Sequence, residues 1–208
     1  MDIEYVKPSE IEKRSFEILT EELKEKGIKL SGDTASVIKR CIHTTADFDY
    51  ADTLVFSENA IEDFKALIRN GACIITDTNM ALAGINKGVL KQFGCKAQCF
   101  MAEEEVAIKA KLSEVTRASV SMEKAIDLGT PVIYVIGNAP TALITLYEHY
   151  LKGYRPAFII GVPVGFVNVV AAKELIIDTD IPYIINRGRK GGSNVAAAIC
   201  NAILYMMH

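Results

Sequence analysis

Hydrophobic positions along the 208-residue chain recur at helical spacing up to about residue 50 and in short runs beyond it. Ser9-Glu10-Ile11-Glu12 reads as a capping box. Ile11, Ile18, Leu19 and Leu23 follow at helical spacing up to a stop at Gly27, which predicts an amphipathic first helix. Val37, Ile38, Cys41 and Ile42 form the apolar face of a second helix that starts near Asp33 and delivers Arg40 and His43 close to its end. From there β-branched runs alternate with helical ones. The runs are Thr53 to Phe56, Cys73 to Thr76, Ala97 to Met101, Val132 to Ile136, Ala157 to Ile160 and Pro182 to Ile185. Between them Ser57 reads as a helix cap before Ile61, Phe64, Leu67 and Ile68, with Gly71 as the stop, and another helix runs from Thr141 to Lys152. Buried strands alternating with helices predict an α/β fold: a mainly parallel sheet of about six strands with helices on both faces, preceded by N-terminal helices. Residues 1–208 read as one domain, with 1–46 its helical segment and 47–208 its sheet core, since no repeat, low-complexity segment or linker divides them.

Composition narrows the class. Hydrophobic residues at 50% and charged residues at 24% supply a core and exclude disordered or disulfide-scaffold chains. Twenty-three basic against 26 acidic residues leave a net charge of −3, so no global positive field attracts nucleic acid or an anionic membrane, and anion recognition must be local. Five scattered cysteines read as reduced thiols of a cytoplasmic protein. Met1-Asp2-Ile3-Glu4-Tyr5 has neither a basic nor an apolar signal region, so no secretory leader is expected. The uncharged runs Leu128 to Tyr147 and Pro156 to Ala172 are broken by Pro131, Gly137 and Pro140 and by Gly161, Pro163 and Gly165, and read as strand-turn-helix units instead of membrane spans.

Ligands of open α/β sheets bind beyond the carboxyl ends of the strands. Those positions hold Asp77-Thr78-Asn79, Gly137-Asn138-Ala139-Pro140-Thr141, Gly161-Val162-Pro163-Val164-Gly165-Phe166 and Arg187-Gly188-Arg189-Lys190-Gly191-Gly192-Ser193. The last places three cations and three glycines before a long C-terminal helix, whose first amides favour an anion, and it reads as a carboxylate or phosphate site; a solvated basic turn is the plainer alternative. No Gly-x-x-x-x-Gly-Lys-Ser/Thr order exists and no Gly-x-Gly-x-x-Gly follows a strand, which disfavours nucleotides. Cys95 and Cys99 lack a second ligand pair, so no metal site is expected. No Gly-x-Ser-x-Gly elbow is present, Cys41 is expected to turn into the core, and Glu103-Glu104-Glu105 reads as an acidic first helical turn. His149 falls in a helical stretch where packing or surface exposure is favoured, and His208 is terminal. His43 has Arg40 before it and Asp47 and Asp49 after it; a near-neutral pKa suits proton donation, and capping of helix-end carbonyls fits equally well.

Lys13-Arg14-Ser15-Phe16, Arg40-Cys41-Ile42-His43, Thr116-Arg117, Ile136-Gly137-Asn138-Ala139-Pro140-Thr141-Ala142-Leu143, Gly161-Val162-Pro163-Val164-Gly165-Phe166-Val167 and the Arg187 to Ser193 stretch follow one another along the chain. In this order, and from end to end, they resemble the precorrin-8X methylmutase family of corrin biosynthesis. It implies an isomerase that moves a methyl group from carbon eleven to carbon twelve of precorrin-8X or its cobalt form, without redox cofactor, ATP or resident metal. His43 matches the catalytic histidine, and Ser15 and Arg40 match substrate-contacting positions. Arg117, Asn138, Arg187 and Arg189 fall in matching motifs and are candidates for the ring's peripheral carboxylates, with Val164 and Phe166 as candidates for its face. The implied assembly is a homodimer with sites near the interface, binding a corrin substrate and product, with no nucleic acid or membrane partner. A noncatalytic corrinoid carrier is the alternative from another class; a hydrolase using His43 as base lacks a nucleophile.

Overall fold

The computed structural model describes residues 3–207, so the Met1-Asp2 start and His208 lie outside the described residues. A 3-10 turn (Pro8–Glu10) leads into α1 (Ile11–Glu25), α2 (Gly32–Thr45), α3 (Tyr50–Thr53), β1 (Leu54–Phe56), α4 (Ala60–Arg69), β2 (Cys73–Thr76), α5 (Asn79–Gly84), α6 (Lys87–Gln92) and β3 (Ala97–Gln98). Then come α7 (Glu104–Leu112), α8 (Arg117–Ile126), β4 (Val132–Ile136), α9 (Pro140–Leu151), β5 (Phe158–Gly161), α10 (Val169–Ile177), β6 (Tyr183–Asn186) and α11 (Ser193–Tyr205). The strands form one sheet in the order β1-β6-β5-β4-β2-β3. Every pairing is parallel except that of β1, which runs antiparallel to β6 at the edge. The sheet grows outward one way through β2 and β3 and the other way from β4 through β6, so β2 and β4 flank the topological switch point.

The central strands read as uninterrupted apolar runs because both faces of the sheet are covered. Side chains alternate across the sheet. Ile133 and Val135 of β4 join the core beneath α1, α2, α4, α6 and α11, whereas Val132, Tyr134 and Ile136 join a second core beneath α7 to α10. No helix of the described residues is long and apolar enough to cross a membrane. All five cysteines are free. Cys41 lies in the core as expected, and burial pushes its thiol up to about 12.

All six expected strands form, with local differences. The run from Ala97 to Met101 pairs only at Ala97 and Gln98, because Phe100 drops into the second core. The capping box is not made: the 3-10 turn occupies Pro8–Glu10, and Glu10 precedes α1 without a side-chain cap. Ser57 does not cap α4 either. Its hydroxyl accepts from the Tyr183 amide at 2.8 Å and tethers the turn to β6, while Asn59 enters α4 from a left-handed conformation.

Candidate active site

Helices α1 and α2 meet through side chains spaced one turn apart on each. On α2, Arg40 and His43 lie on one side at a three-residue interval, and on α1, Ser15 and Phe16 lie three and four residues after Glu12. Ser15 Oγ lies 3.0 Å from His43 Nδ1. The Phe16 ring stacks on the imidazole, centroids 4.9 Å apart and planes 18° apart. Arg40 donates to Glu12 at 2.5 Å and holds that carboxyl below its usual range through the hydrogen bond and its charge. The Arg40 guanidinium also lies 4.7 Å from the Phe16 ring and 5.7 Å from the Tyr205 ring. The imidazole therefore bonds a hydroxyl, not a helix-end carbonyl, and Asp47 and Asp49, which follow it in sequence, both pair with Lys190 at 2.6 Å.

This cluster faces open space. One cleft of about 370 Å³ is bounded by Arg40, His43, Met80, Asn194, Asn201 and Tyr205, and a smaller one by Ser15, Ile42, His43 and Phe48. A third, of about 560 Å³, lies past Arg40 and Tyr205 and is lined by Lys13, Phe16 and Lys39. Asn194 opens α11, which begins after β6, and Met80 opens α5, which begins after β2, so His43 stands at the carboxyl end of the sheet. A histidine held at Nδ1 and bordering a cleft can donate a proton or a hydrogen bond to a bound ring.

The strand-end turns have a different organisation. At the switch point the Asp77 carboxylate, fully buried, accepts from the amides of Gly137, Asn138 and Ala139 at 2.9, 2.7 and 2.6 Å. Burial pushes its carboxyl up while the three amides pull it down. The anion site offered by this turn is thus filled from within, and Asn138 is left with an exposed side chain. Gly137 is required here, because a Cβ would meet Ser193 Cα at 2.6 Å. Thr78 and Ser193 share a 2.7 Å hydroxyl contact that joins the starts of α5 and α11.

The cation-rich loop is also largely committed. Lys190 pairs with Asp47 and Asp49, Arg187 lies 3.6 Å from Glu174, and Arg189 lies 5.4 Å from the exposed Phe166 ring. Beneath it, buried Lys173 donates to the Gly188 and Lys190 carbonyls at 2.8 and 2.9 Å, and burial pushes its ammonium down to about 8. Gly191 has a φ of +156°, and a side chain there would strike the Val162 carbonyl. Arg117 is exposed at the start of α8, where Thr116 contacts Thr141 of α9 at 2.8 Å. Of the expected site residues, Ser15, Arg40 and His43 come together directly, while Arg117, Asn138, Arg187 and Arg189 are spread over the strand-end turns. Among the described residues no group of three His, Cys, Asp or Glu side chains could hold a metal ion.

Sequence reasoning passed over Glu12 and the roles of Asp77 and Lys173. Glu12 was legible in principle, since Glu12, Ser15, Phe16, Leu19 and Leu23 make one stripe at three- and four-residue intervals. The expected apolar face instead included Ile11 and Ile18, which are 55% and 39% exposed, whereas Leu19 and Leu23 are buried.

A family model described as precorrin-8X methylmutase matches residues 10–206. The chain belongs to that family. It is 42% identical over 202 residues to a cobalt-precorrin-8 methylmutase of Salmonella typhimurium, covering 95% of each chain. It is 35% identical over 205 residues to a precorrin-8X methylmutase of Pseudomonas aeruginosa, covering 97% of each. The solved precorrin-8X methylmutase of Thermus thermophilus superposes with a TM-score of 0.86 at 37% identity, covering 94% of each chain. The methylmutase fold thus extends over both cores and all six strands.

Proposed function

We propose that this chain is an isomerase of cobalamin biosynthesis that moves a methyl group from carbon eleven to carbon twelve of a precorrin-8 macrocycle. The observation that carries the reading is the His43 imidazole, tied at Nδ1 to Ser15 and facing a cleft, in a chain matched to the methylmutase family over residues 10–206. The isomerisation breaks one carbon–carbon bond and forms another, so atoms and electrons balance within the substrate. Catalysis is then positioning and electrostatics: His43 donates a proton or hydrogen bond to the rearranging ring, and nearby cations hold its carboxylates. Arg40 takes a carboxylate beside the reacting region, and Arg187, Arg189, Arg117 and the Asn138 amide take others around the periphery. The cobalt-bearing substrate comes first, because the relative at 42% identity is named for it and the one named for the metal-free form stands at 35%.

Residues 1–208 act as one domain in the cytoplasm, and two copies form a dimer. The exposure of Phe166 at 81%, Val167 at 79% and Val164 at 47% beside the strand ends supports a covering partner or ring at that place. The carrier alternative has no support among the relatives at 38–42% identity from Salmonella typhimurium, Leptospira interrogans and Priestia megaterium, which are named as methylmutases.

Purified protein incubated with precorrin-8X and with its cobalt form, followed by visible spectroscopy, should show conversion to the corrin chromophore. His43→Ala should keep product binding and lose about 10²–10⁴-fold in turnover, the usual contribution of a general acid. Tight product binding with no turnover in the natural chain would favour a carrier.

A further inference from the structure

Phe16 belongs to neither hydrophobic core, although it is a large apolar residue on a helix whose Leu19 and Leu23 are buried. Its ring is spent on polar neighbours. It stacks on His43 at 4.9 Å and carries the Arg40 guanidinium at 4.7 Å, and it lines the cleft that also holds Lys39 and Tyr205. The single hydrogen bond between Ser15 Oγ and Nδ1 fixes one atom of the imidazole but leaves the ring free to tilt about that point. On its other sides His43 borders open clefts. A flat contact at an 18° interplanar angle supplies the missing constraint.

We infer that Phe16 is a positioning residue for the methyl migration, its ring setting the plane of the His43 imidazole that Ser15 anchors at Nδ1. Adjacent residues of α1 thereby fix the ring in two independent ways, one by direction and one by plane. The inference rests on the methylmutase reading for its catalytic consequence, but the orientation of His43 is observable without turnover.

The test compares Phe16→Leu, which keeps apolar bulk without a face, with Phe16→Tyr, which keeps the face. Phe16→Leu should lower turnover about 10- to 100-fold, the scale expected when a catalytic group is displaced by about 1 Å, with a smaller loss of product affinity because Arg40 keeps its Glu12 partner. Phe16→Tyr should restore most of the turnover. Crystal structures should show the His43 ring plane kept in Phe16→Tyr, and tilted or split between rotamers in Phe16→Leu. Turnover above half in Phe16→Leu, a parallel loss of product affinity, or equal failure of Phe16→Tyr would overturn the inference. If the natural chain itself does not isomerise either substrate, the functional reading fails separately, and an unchanged His43 ring plane in the Phe16→Leu structure would then overturn the positioning role.

Discussion

The α1–α2 contact and the strand-end turns are both rich in charged and polar residues, yet they use them in opposite ways. Between the helices the groups are half-exposed, meet side chain to side chain, and leave the outward edges of His43 and Arg40 on open clefts. At the strand ends the strongest groups face inward and hold backbone: Asp77 collects three amides, Lys173 two carbonyls, and Asn186 donates to the Arg187 and Lys190 carbonyls while accepting from Thr53. A buried ion that satisfies several backbone groups shapes a turn; an exposed one spaced along a helix remains available to a ligand. The difference predicts that substitutions of the inward groups of the turns will act first on stability, and those between the helices first on turnover.

The sharpest attempt to break that division is Asp77→Ala, which leaves the Gly137, Asn138 and Ala139 amides without their acceptor. A loss of about 3 kcal/mol is expected in urea unfolding, the scale for removing a charged acceptor from buried donors. Asp77→Asn should lose less, since one amide oxygen still accepts. Unfolding curves that superpose with those of the natural chain would show that water replaces the carboxylate and that the turn is not built on it.

Lys173→Met comes next, with an expected loss of about 1–2 kcal/mol near neutral pH. Asn186 still donates to the Lys190 carbonyl, so only the Gly188 carbonyl is stranded. The pH dependence has a definite sign. Burial lowers the folded-state pKa of Lys173 to about 8 from 10.5, so between these values the unfolded chain holds more proton at this site and stability rises with pH. This contribution is full above 10.5 and is lost as pH falls through about 8. The natural chain should therefore gain on Lys173→Met between pH 8 and pH 10 in paired unfolding measurements, and a constant gap would deny the proton linkage.

The sheet was legible because each central strand is a bounded apolar run and each helix carries its own period, signals local to a few residues. The same holds for α2, whose buried set Val37, Ile38, Cys41 and Ile42 is the one expected from spacing. Pairings across long sequence separations were not legible. Lys190 meets Asp47 across 143 positions, and nothing local distinguishes that cation from one awaiting a ligand. Asp77 is similar, a turn residue by composition whose three acceptances depend on β2 lying beside β4. The capping box failed because Pro8 begins a 3-10 turn that carries Ser9 and Glu10 into helical geometry too early for Ser9 to cap. His43 stood out by its charged neighbours near the end of a helix, and the motif resemblance gave it and Arg40 their roles, while their partners Glu12 and Phe16 follow from the crossing of α1 on α2.

The smallest expected effect belongs to Arg187 and Arg189, the cations of the exposed loop that lack the close carboxylate pairs of Lys190. Arg187 is 53% exposed and its partner Glu174 lies 3.6 Å away, while Arg189 rests against Phe166 and pairs with no carboxylate among the described residues. Solvent-exposed pairs contribute up to about 1 kcal/mol, so the double substitution Arg187→Ala with Arg189→Ala should weaken product binding up to roughly tenfold and leave unfolding unchanged. Because such attraction is screened by ions, the double variant should also show a shallower loss of affinity as salt is raised. Glu174→Gln works in the opposite direction: it releases Arg187 and should tighten binding slightly at low salt. If affinity and its salt dependence stay as in the natural chain in both variants, the loop is a solvated basic turn, and recognition of the ring's carboxylates moves to the α1–α2 side, where Arg40, Lys13 and Lys39 border the larger cleft.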